Sequence, residues 1–198
     1  MEPAGMQVLP GNYKMILQLG KEKDSINLVV KGDPRLENND AVVLAQKAML
    51  ERLKKSGDKL NEGLDRLLEC DEVLAKVNAN LKEASGKDAD TLTKATKKIT
   101  EQIKLIREFV SGKTSERQGY GQVPQETVLS VFREAQSIIR GKNVAPAAQE
   151  ERLVVDAEQK VKEALQKMNS FITNEWTNYR KLVESKPLKL FKDYKVIE

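Results

Sequence analysis

The sequence predicts a mainly α-helical protein, an elongated three- to four-helix bundle with a short N-terminal two-stranded antiparallel β-ribbon. Two observations lead to this fold class. Before residue 36, apolar residues alternate with polar ones in two short segments, which is the period of a half-buried strand. From about residue 39 onward, apolar residues recur every three or four positions over long stretches, which is typical of amphipathic helices. We therefore divide the chain into a β-ribbon, residues 1–36, and a helical bundle with a C-terminal tail, residues 37–198.

The ribbon is predicted from segments 8–19 and 25–31, whose apolar alternating positions are Tyr13, Met15, Leu17, Leu19, Ile26, Leu28 and Val30. The polar segment 20–24 between them is predicted to be a five-residue hairpin loop. Pro34 ends the second strand because it disfavours regular pairing and restricts the residue before it. Two strands alone make a poor sheet in water, so we expect the ribbon to need strands that this chain barely supplies.

The first helix is predicted to begin near Asp40 and to run to about Ser85. A leucine occurs at every seventh position of this helix, at Leu53, Leu60, Leu67, Leu74 and Leu81. The alternate positions of the same seam are mostly small, and they are Met49, Ser56, Gly63, Cys70 and Val77. Large residues beside small ones predict close packing between helices.

Three more helices are predicted, over residues 88–111, from about Pro124 to Gly141, and from Pro146 to about Ser185. The second and third together are about as long as the first or the fourth. We therefore expect them to lie end to end between the two long helices, with the glycine-rich segment 112–123 as the joint. The alternative is a four-helix up-down bundle at one end of a two-helix stalk.

The charge pattern argues against nucleic acid or anionic lipid as a partner. The chain has 34 Lys and Arg against 30 Asp and Glu, and the two signs are interspersed. No apolar run approaches the roughly 18 residues of a membrane span, so none is expected. The first residues also lack the basic and apolar regions of a signal peptide.

No residue is predicted to be catalytic, to ligate a metal or to bind a cofactor. The chain has no histidine, which removes the commonest acid/base catalyst and metal ligand. Cys70 is the single cysteine and is interpreted as a core residue, because its acidic neighbours would oppose ionisation. The grouped carboxylates are interpreted as solvated helix surface, and they are Glu69, Asp71, Glu72, Glu150 and Glu151.

Two aromatic residues are candidate contact sites. Tyr120 lies in the glycine-rich segment, and Trp176 lies beside Phe171 and Tyr179 late in the fourth helix. A plain linker and ordinary packing are the commoner interpretations of these positions. The basic tail after Pro187 carries interleaved apolar residues. The sequence leaves open whether this tail is solvated or adds a strand to the ribbon.

The ribbon and its exit resemble the C-terminal region of bacterial sortilin-like, BNR-type β-propeller proteins, which are often labelled glycosyl hydrolases. In that family a Pro-Gly-x-Tyr strand and a return strand end in Val-x-x-Asp-Pro-Arg, and a helical region follows. The matching junction residues here are Pro10, Gly11, Tyr13, Val30, Asp33, Pro34 and Arg35. The specific matches lie in the first fifth of the chain.

The resemblance implies that the ribbon is the remnant of an immunoglobulin- or fibronectin-like sheet, preceded in the parent by Ig-like and β-propeller domains. It also implies an exported parent, periplasmic or at the cell surface. The propeller itself is absent, because this chain has no Ser-x-Asp-x-Gly-x-x-Trp repeat. A hydrolase label would therefore belong to the parent, and no catalytic residue can be assigned to this chain.

These observations lead to two functional hypotheses. The first is a non-catalytic C-terminal helical accessory and interaction domain of a larger exported β-propeller protein. The second is an autonomous helical protein that forms a homodimer through the Leu53–Leu81 heptad seam.

Overall fold

The β-ribbon is a single antiparallel hairpin at the N-terminal side of the fold. The computed structural model describes residues 8–32, 40–82, 84, 86–113, 126–142 and 144–186. Strand β1 (Gly11–Leu19) pairs with β2 (Glu22–Val30), with Gly11 opposite Val30 and Leu19 opposite Glu22. Among the described residues the sheet has these two strands.

The hairpin loop is shorter than the sequence indicated, and the predicted five-residue loop is wrong. The strands continue until Leu19 pairs with Glu22, which leaves Gly20 and Lys21 as the loop. Gly20 has φ 61°, the left-handed conformation that two-residue hairpin turns favour. The polar residues of segment 22–24 fit into β2 because the strand is exposed, so burial does not require apolar side chains there.

The helical region contains a long first helix, two shorter helices and a long last helix. The last helix includes one π-helical turn, Ile172–Trp176, which divides it into two α-helical segments without a break. The helices are α1 (Asp40–Leu81), α2 (Lys87–Ser111), α3 (Val128–Arg140), α4 (Ala148–Phe171) and α5 (Thr177–Glu184). These bounds confirm the four predicted helices to within a few residues at most ends.

Local side-chain chemistry fixes the start of α3. The Thr127 hydroxyl accepts a hydrogen bond from the Ser130 amide at 3.0 Å, and the Thr127 amide donates to the Ser130 hydroxyl at 2.8 Å. This reciprocal capping box satisfies amides that have no partner in the first turn. The helix therefore begins at Val128, and the Pro124 start predicted for it lies outside the described residues.

The packing confirms the end-to-end arrangement of α2 and α3. In the first half of α1, Leu53 packs with Ile139 of α3 and Val154 of α4. In the second half, Leu74 packs with residues of α2 such as Ile103, and Leu81 packs with Leu92. Helices α2 and α3 thus cover successive halves of α1. At most points along its length, the bundle therefore has three helices in cross-section.

Helices α1 and α4–α5 run parallel to each other. Near the start of α1, Arg52 bonds Glu151 and Glu158 of α4. Near its end, Leu81 packs close to Val183 of α5. Since α1 has 42 residues, its two ends are roughly 63 Å apart. The start of α1 and the end of α5 therefore lie at opposite ends of the bundle.

The seam of α1 packs as its large-small pattern predicts. A Cβ placed on Gly63 would lie 2.5 Å from Met168 Sδ and 3.2 Å from a Leu165 methyl group. The glycine therefore lets α4 approach the α1 backbone closely. Among the described helices, none combines the length and the apolar character needed to cross a membrane.

Candidate functional site

The ribbon carries a continuous apolar face. Side chains directly opposite each other in an antiparallel pair lie on the same face of the sheet, and Tyr13 is opposite Leu28 while Met15 is opposite Ile26. Every second residue of each strand lies on the same face as these pairs. We call this the apolar ribbon face, and its apolar residues are Tyr13, Met15, Leu17, Leu19, Ile26, Leu28 and Val30. The opposite face is mainly polar.

This face has no cover among the described residues. Leu17 and Leu19 are 72% and 78% exposed, whereas Leu53 and Leu67 of the bundle are fully buried. No residue of β1 or β2 is buried. Large contiguous apolar patches on soluble proteins mark interaction surfaces more often than free surface. The apolar ribbon face is therefore the strongest candidate site in the structure.

Two carboxylates mark the loop end of the same face. Asp24 is opposite Leu17 and Glu22 is opposite Leu19. They share the face with the apolar side chains and are exposed. The face thus has an apolar centre and an acidic end.

Three of the predicted junction residues come together at the base of the ribbon. The Tyr13 hydroxyl donates a 2.7 Å hydrogen bond to the carbonyl oxygen of Leu9. Gly11 lies beneath the Tyr13 ring, and Pro10 lies beside Gly32 across the hairpin. These contacts close the base of the hairpin where the chain enters and leaves it. Val30 pairs with Gly11 at the same end of the ribbon, and the remaining three junction residues, Asp33, Pro34 and Arg35, lie outside the described residues.

The heptad seam is occupied within the chain. Each of its five leucines is at most 9% exposed, and the residues that cover them belong to α2, α3, α4 and α5. Self-association through Leu53–Leu81 would therefore require the bundle to open. The seam does not form a surface in the folded monomer.

Cys70 is a buried member of the central core. Its side chain is 4% exposed, and burial, followed by the charges of Asp71 and Glu69, raises the pKa of its thiol to about 11. The thiolate that nucleophilic chemistry requires is therefore scarce at neutral pH. This environment matches the prediction of a core residue.

The predicted surface carboxylates divide into two groups. Glu69 and Glu72 are exposed, whereas Asp71 pairs with Arg107 at 2.6 Å between α1 and α2. The Arg52 guanidinium donates a hydrogen bond to the Glu151 carboxylate. It also donates two hydrogen bonds to the Glu158 carboxylate, at 3.2 and 2.8 Å. These pairs connect neighbouring helices, so their evident role is in packing.

Glu150 is the one predicted surface carboxylate that is buried, and that prediction was wrong. It is 2% exposed and accepts hydrogen bonds from the Lys142 ammonium group and, at 2.8 Å, from the Ala147 amide. Donation by Lys142 first, and by the Ala147 amide second, lowers the pKa of Glu150 to about 2. The Gln46 amide bonds the Lys142 carbonyl, so this cluster ties α1 to the α3–α4 connection. The position of Glu150 in the first turn after Ala147 is a capping signal that sequence reasoning missed.

Trp176 belongs to the packed aromatic group that the sequence indicated. Its ring centroid lies 5.6 Å from that of Tyr179 and 6.4 Å from that of Phe171. The Tyr179 hydroxyl is 2.8 Å from the Thr96 hydroxyl, which connects the group to α2. Trp176 is half-buried against the core, so only part of its side chain is accessible for contact. Tyr120 lies outside the described residues.

Open grooves lie on the described surface of the bundle. One groove lies between α2 and α4, beside the π-helical turn, and is lined by Leu105, Phe109 and Lys167. A second lies beside the Asp71–Arg107 pair. Within the described part of the chain, no group of three or more Cys, Asp or Glu side chains is arranged to hold a metal ion.

No family model, curated protein or solved structure matches the chain. Function is therefore inferred from the geometry of the ribbon and the bundle.

Proposed function

We propose that the chain is a non-catalytic interaction domain in which the ribbon engages another β-sheet and the bundle serves as a rigid rod. The observation that carries this proposal is the apolar ribbon face, of which every member but the half-buried Val30 is exposed. At about 25 cal/mol per Å² of apolar surface removed from water, covering seven such side chains provides substantial binding free energy.

The finer form of the proposal is that the covering sheet belongs to the same polypeptide in its parent protein. We propose a larger exported β-propeller protein, periplasmic or at the cell surface, in which this chain is the C-terminal accessory domain. The Pro-Gly-x-Tyr strand and the Val-x-x-Asp-Pro-Arg exit support this form. The contacts of Pro10, Gly11 and Tyr13 at the base of the hairpin agree with a junction that fixes the direction of the ribbon.

The reading frame upstream of Met1 in the gene tests the finer form. The proposal expects an open frame that continues into a β-sandwich sequence and, before it, into Ser-x-Asp-x-Gly-x-x-Trp repeats. An in-frame stop codon directly upstream of a ribosome-binding site contradicts it.

A protein-level experiment tests the coarser form, using the longer reading frame if it exists and the given chain otherwise. Met15→Lys places a charge in the centre of the apolar ribbon face, opposite Ile26, and Ile16→Lys places the same charge on the polar face, opposite Ser25, as a matched control. We expect Met15→Lys to lower the stability of the ribbon together with its covering sheet, and Ile16→Lys to leave it unchanged. Equal behaviour of the two variants in the longer protein contradicts a docking role for the face.

A further inference from the structure

The face of the ribbon opposite the apolar ribbon face carries positive charge only. Strand pairing places Lys14 and Lys23 on this face, whereas Glu22 and Asp24 lie on the apolar ribbon face. The pairing thus separates the charges of the two strands by sign, which their order along the chain does not show. We call this side the basic ribbon face, and its residues are Asn12, Lys14, Ile16, Gln18, Lys23, Ser25, Asn27 and Val29.

Two more lysines extend the positive charge to both ends of the ribbon. Lys21 is in the hairpin loop, Lys31 directly follows β2, and both are exposed. Since these two lysines are the outermost of the four, the positive charge extends over roughly 30 Å of strand. Every ion pair among the described residues lies in the helical region, so none of the four lysines is paired with a carboxylate there.

The basic ribbon face also has two exposed apolar side chains. Ile16 and Val29 are each 62% exposed. Peripheral proteins bind anionic lipid with this combination, because lysines are attracted to the headgroups and apolar side chains enter the boundary beneath them. The face therefore has both groups that such a contact needs.

We propose that the basic ribbon face binds the surface of an anionic lipid membrane. Each lysine near such a surface strengthens binding by about fivefold, because the negative surface potential attracts it. Lysine stems are long and flexible, so all four ammonium groups reach headgroups although a two-stranded ribbon is twisted. Ile16 and Val29 lie between the lysines and contact the boundary of the acyl chains.

The type of basic residue favours lipid over a nucleic acid duplex. The described ribbon, residues 8–32, contains lysine and no arginine. Arginine is preferred for the phosphates and guanine edges of a duplex, because its planar fork donates two hydrogen bonds at once. Lysine acts as a point charge, which suits headgroups that move freely in a fluid surface.

The membrane contact does not depend on the proposed docking of the apolar ribbon face. A sheet that covers the apolar ribbon face leaves the basic ribbon face on the outside, so both contacts form together. The near balance of charge over the whole chain argued against a lipid partner. That balance includes the acidic residues of the bundle, whereas the membrane meets only the basic ribbon face.

Vesicle co-sedimentation of the full chain tests the proposal. The probes are phosphatidylcholine vesicles with and without about one third of phosphatidylglycerol, at low salt. We expect binding to the anionic vesicles only, and its loss in about 1 M salt, where the Debye length is about 3 Å. Replacing Lys14 and Lys23 together by glutamine should weaken binding about 25-fold. The same replacement of Lys54 and Lys59, which are exposed on α1, is the matched control and should leave binding unchanged.

A pair of serine substitutions shows which face of the ribbon contacts the membrane. Ile16→Ser removes an apolar side chain from the basic ribbon face and should weaken binding several-fold. Met15→Ser, the neighbouring change on the apolar ribbon face, should leave binding unchanged.

Three results would overturn the proposal. They are no binding to the anionic vesicles at low salt, an equal loss for the ribbon and α1 lysine variants, and a larger loss for Met15→Ser than for Ile16→Ser. Tighter binding to duplex DNA than to the vesicles, with the same dependence on Lys14 and Lys23, would also overturn it and would assign the face to nucleic acid. A lack of vesicle binding leaves the proposed docking of the apolar ribbon face unaffected, because that contact uses the other side chains of the ribbon.

Discussion

The ribbon and the bundle use similar apolar side chains with opposite results. In the bundle, Leu53 and Leu67 are fully buried by the helices that pack against α1. In the ribbon, Leu17 and Leu19 alternate just as regularly, yet more than 70% of each is exposed. Since burial, and not the apolar residue itself, supplies the stabilising free energy, we expect the bundle to fold by itself, whereas no described residue covers the ribbon face. This contrast is the reason why we propose that face as the interaction site of the chain.

Leucine-to-alanine substitutions in the bundle and in the ribbon should show the largest difference in the free energy of unfolding. Leu67→Ala removes a fully buried side chain and should lower the free energy of unfolding by about 2–5 kcal/mol. Leu17→Ala, its matched counterpart on the ribbon, should change it by less than about 0.5 kcal/mol, as exposed positions do. Urea unfolding followed by the helical circular dichroism signal measures both. A large loss for Leu17→Ala would mean that the ribbon is part of the bundle's cooperative unit.

A substitution at Gly63 tests the close packing of α1 against α4, which the ribbon lacks. Gly63→Ala inserts a methyl group against Met168 and Leu165, and overpacking of this kind should cost about 1–3 kcal/mol. Part of that loss is offset by the helix propensity of alanine. The control is the pair Gly63→Ala and Met168→Ala, because shortening Met168 makes room for the methyl group and should give a favourable coupling free energy. Additive effects of the two changes would contradict direct contact at this position.

The stability of the bundle should depend on pH through the buried carboxylate of Glu150. The pKa of Glu150 in the folded chain is lowered to about 2 from its ordinary 4.5, so the ionised form favours folding. Its contribution is fully present above pH 4.5 and is lost as pH falls toward 2. Glu150→Gln should therefore destabilise the chain at pH 7, and the difference from the unaltered protein should shrink between pH 4.5 and 2. A difference that stays constant over this range would exclude the ionised carboxylate as the cause.

A thiol in the bundle core should be alkylated much more slowly than a thiol on the ribbon. Cys70 is buried and the pKa of its thiol is raised to about 11, so alkylation at pH 8 should wait for the bundle to open. A cysteine placed on the ribbon by Leu17→Cys, in a Cys70→Ala background, should react at the rate of an unstructured thiol. Mass spectrometry with iodoacetamide follows both reactions. Equal rates for the two thiols would show that the core around Cys70 is not closed.

The sequence predicted the bundle better than the ribbon, for a physical reason. Helix periodicity reports burial within one chain, so the seam leucines and the positions of α2 and α3 could be inferred from spacing. The hairpin loop was predicted too long because Glu22 and Asp24 are polar, and polar residues in an exposed strand look like a loop. Glu150 was assigned to the surface because its burial depends on Lys142 and Gln46, which only the fold brings beside it. The apolar ribbon face was visible as alternation, but its exposure required the structure.

Hydrogen exchange of the full chain tests the central claim most directly. The claim is that the ribbon is an uncovered interaction element beside a bundle that folds by itself. At a concentration where the chain is monomeric, we expect amides in Gly11–Leu19 and Glu22–Val30 to exchange through local opening, since a two-stranded hairpin is marginally stable. Amides in the middle of α1, around Leu67, should exchange only through global unfolding. Ribbon amides protected as strongly as those of α1 would contradict the account.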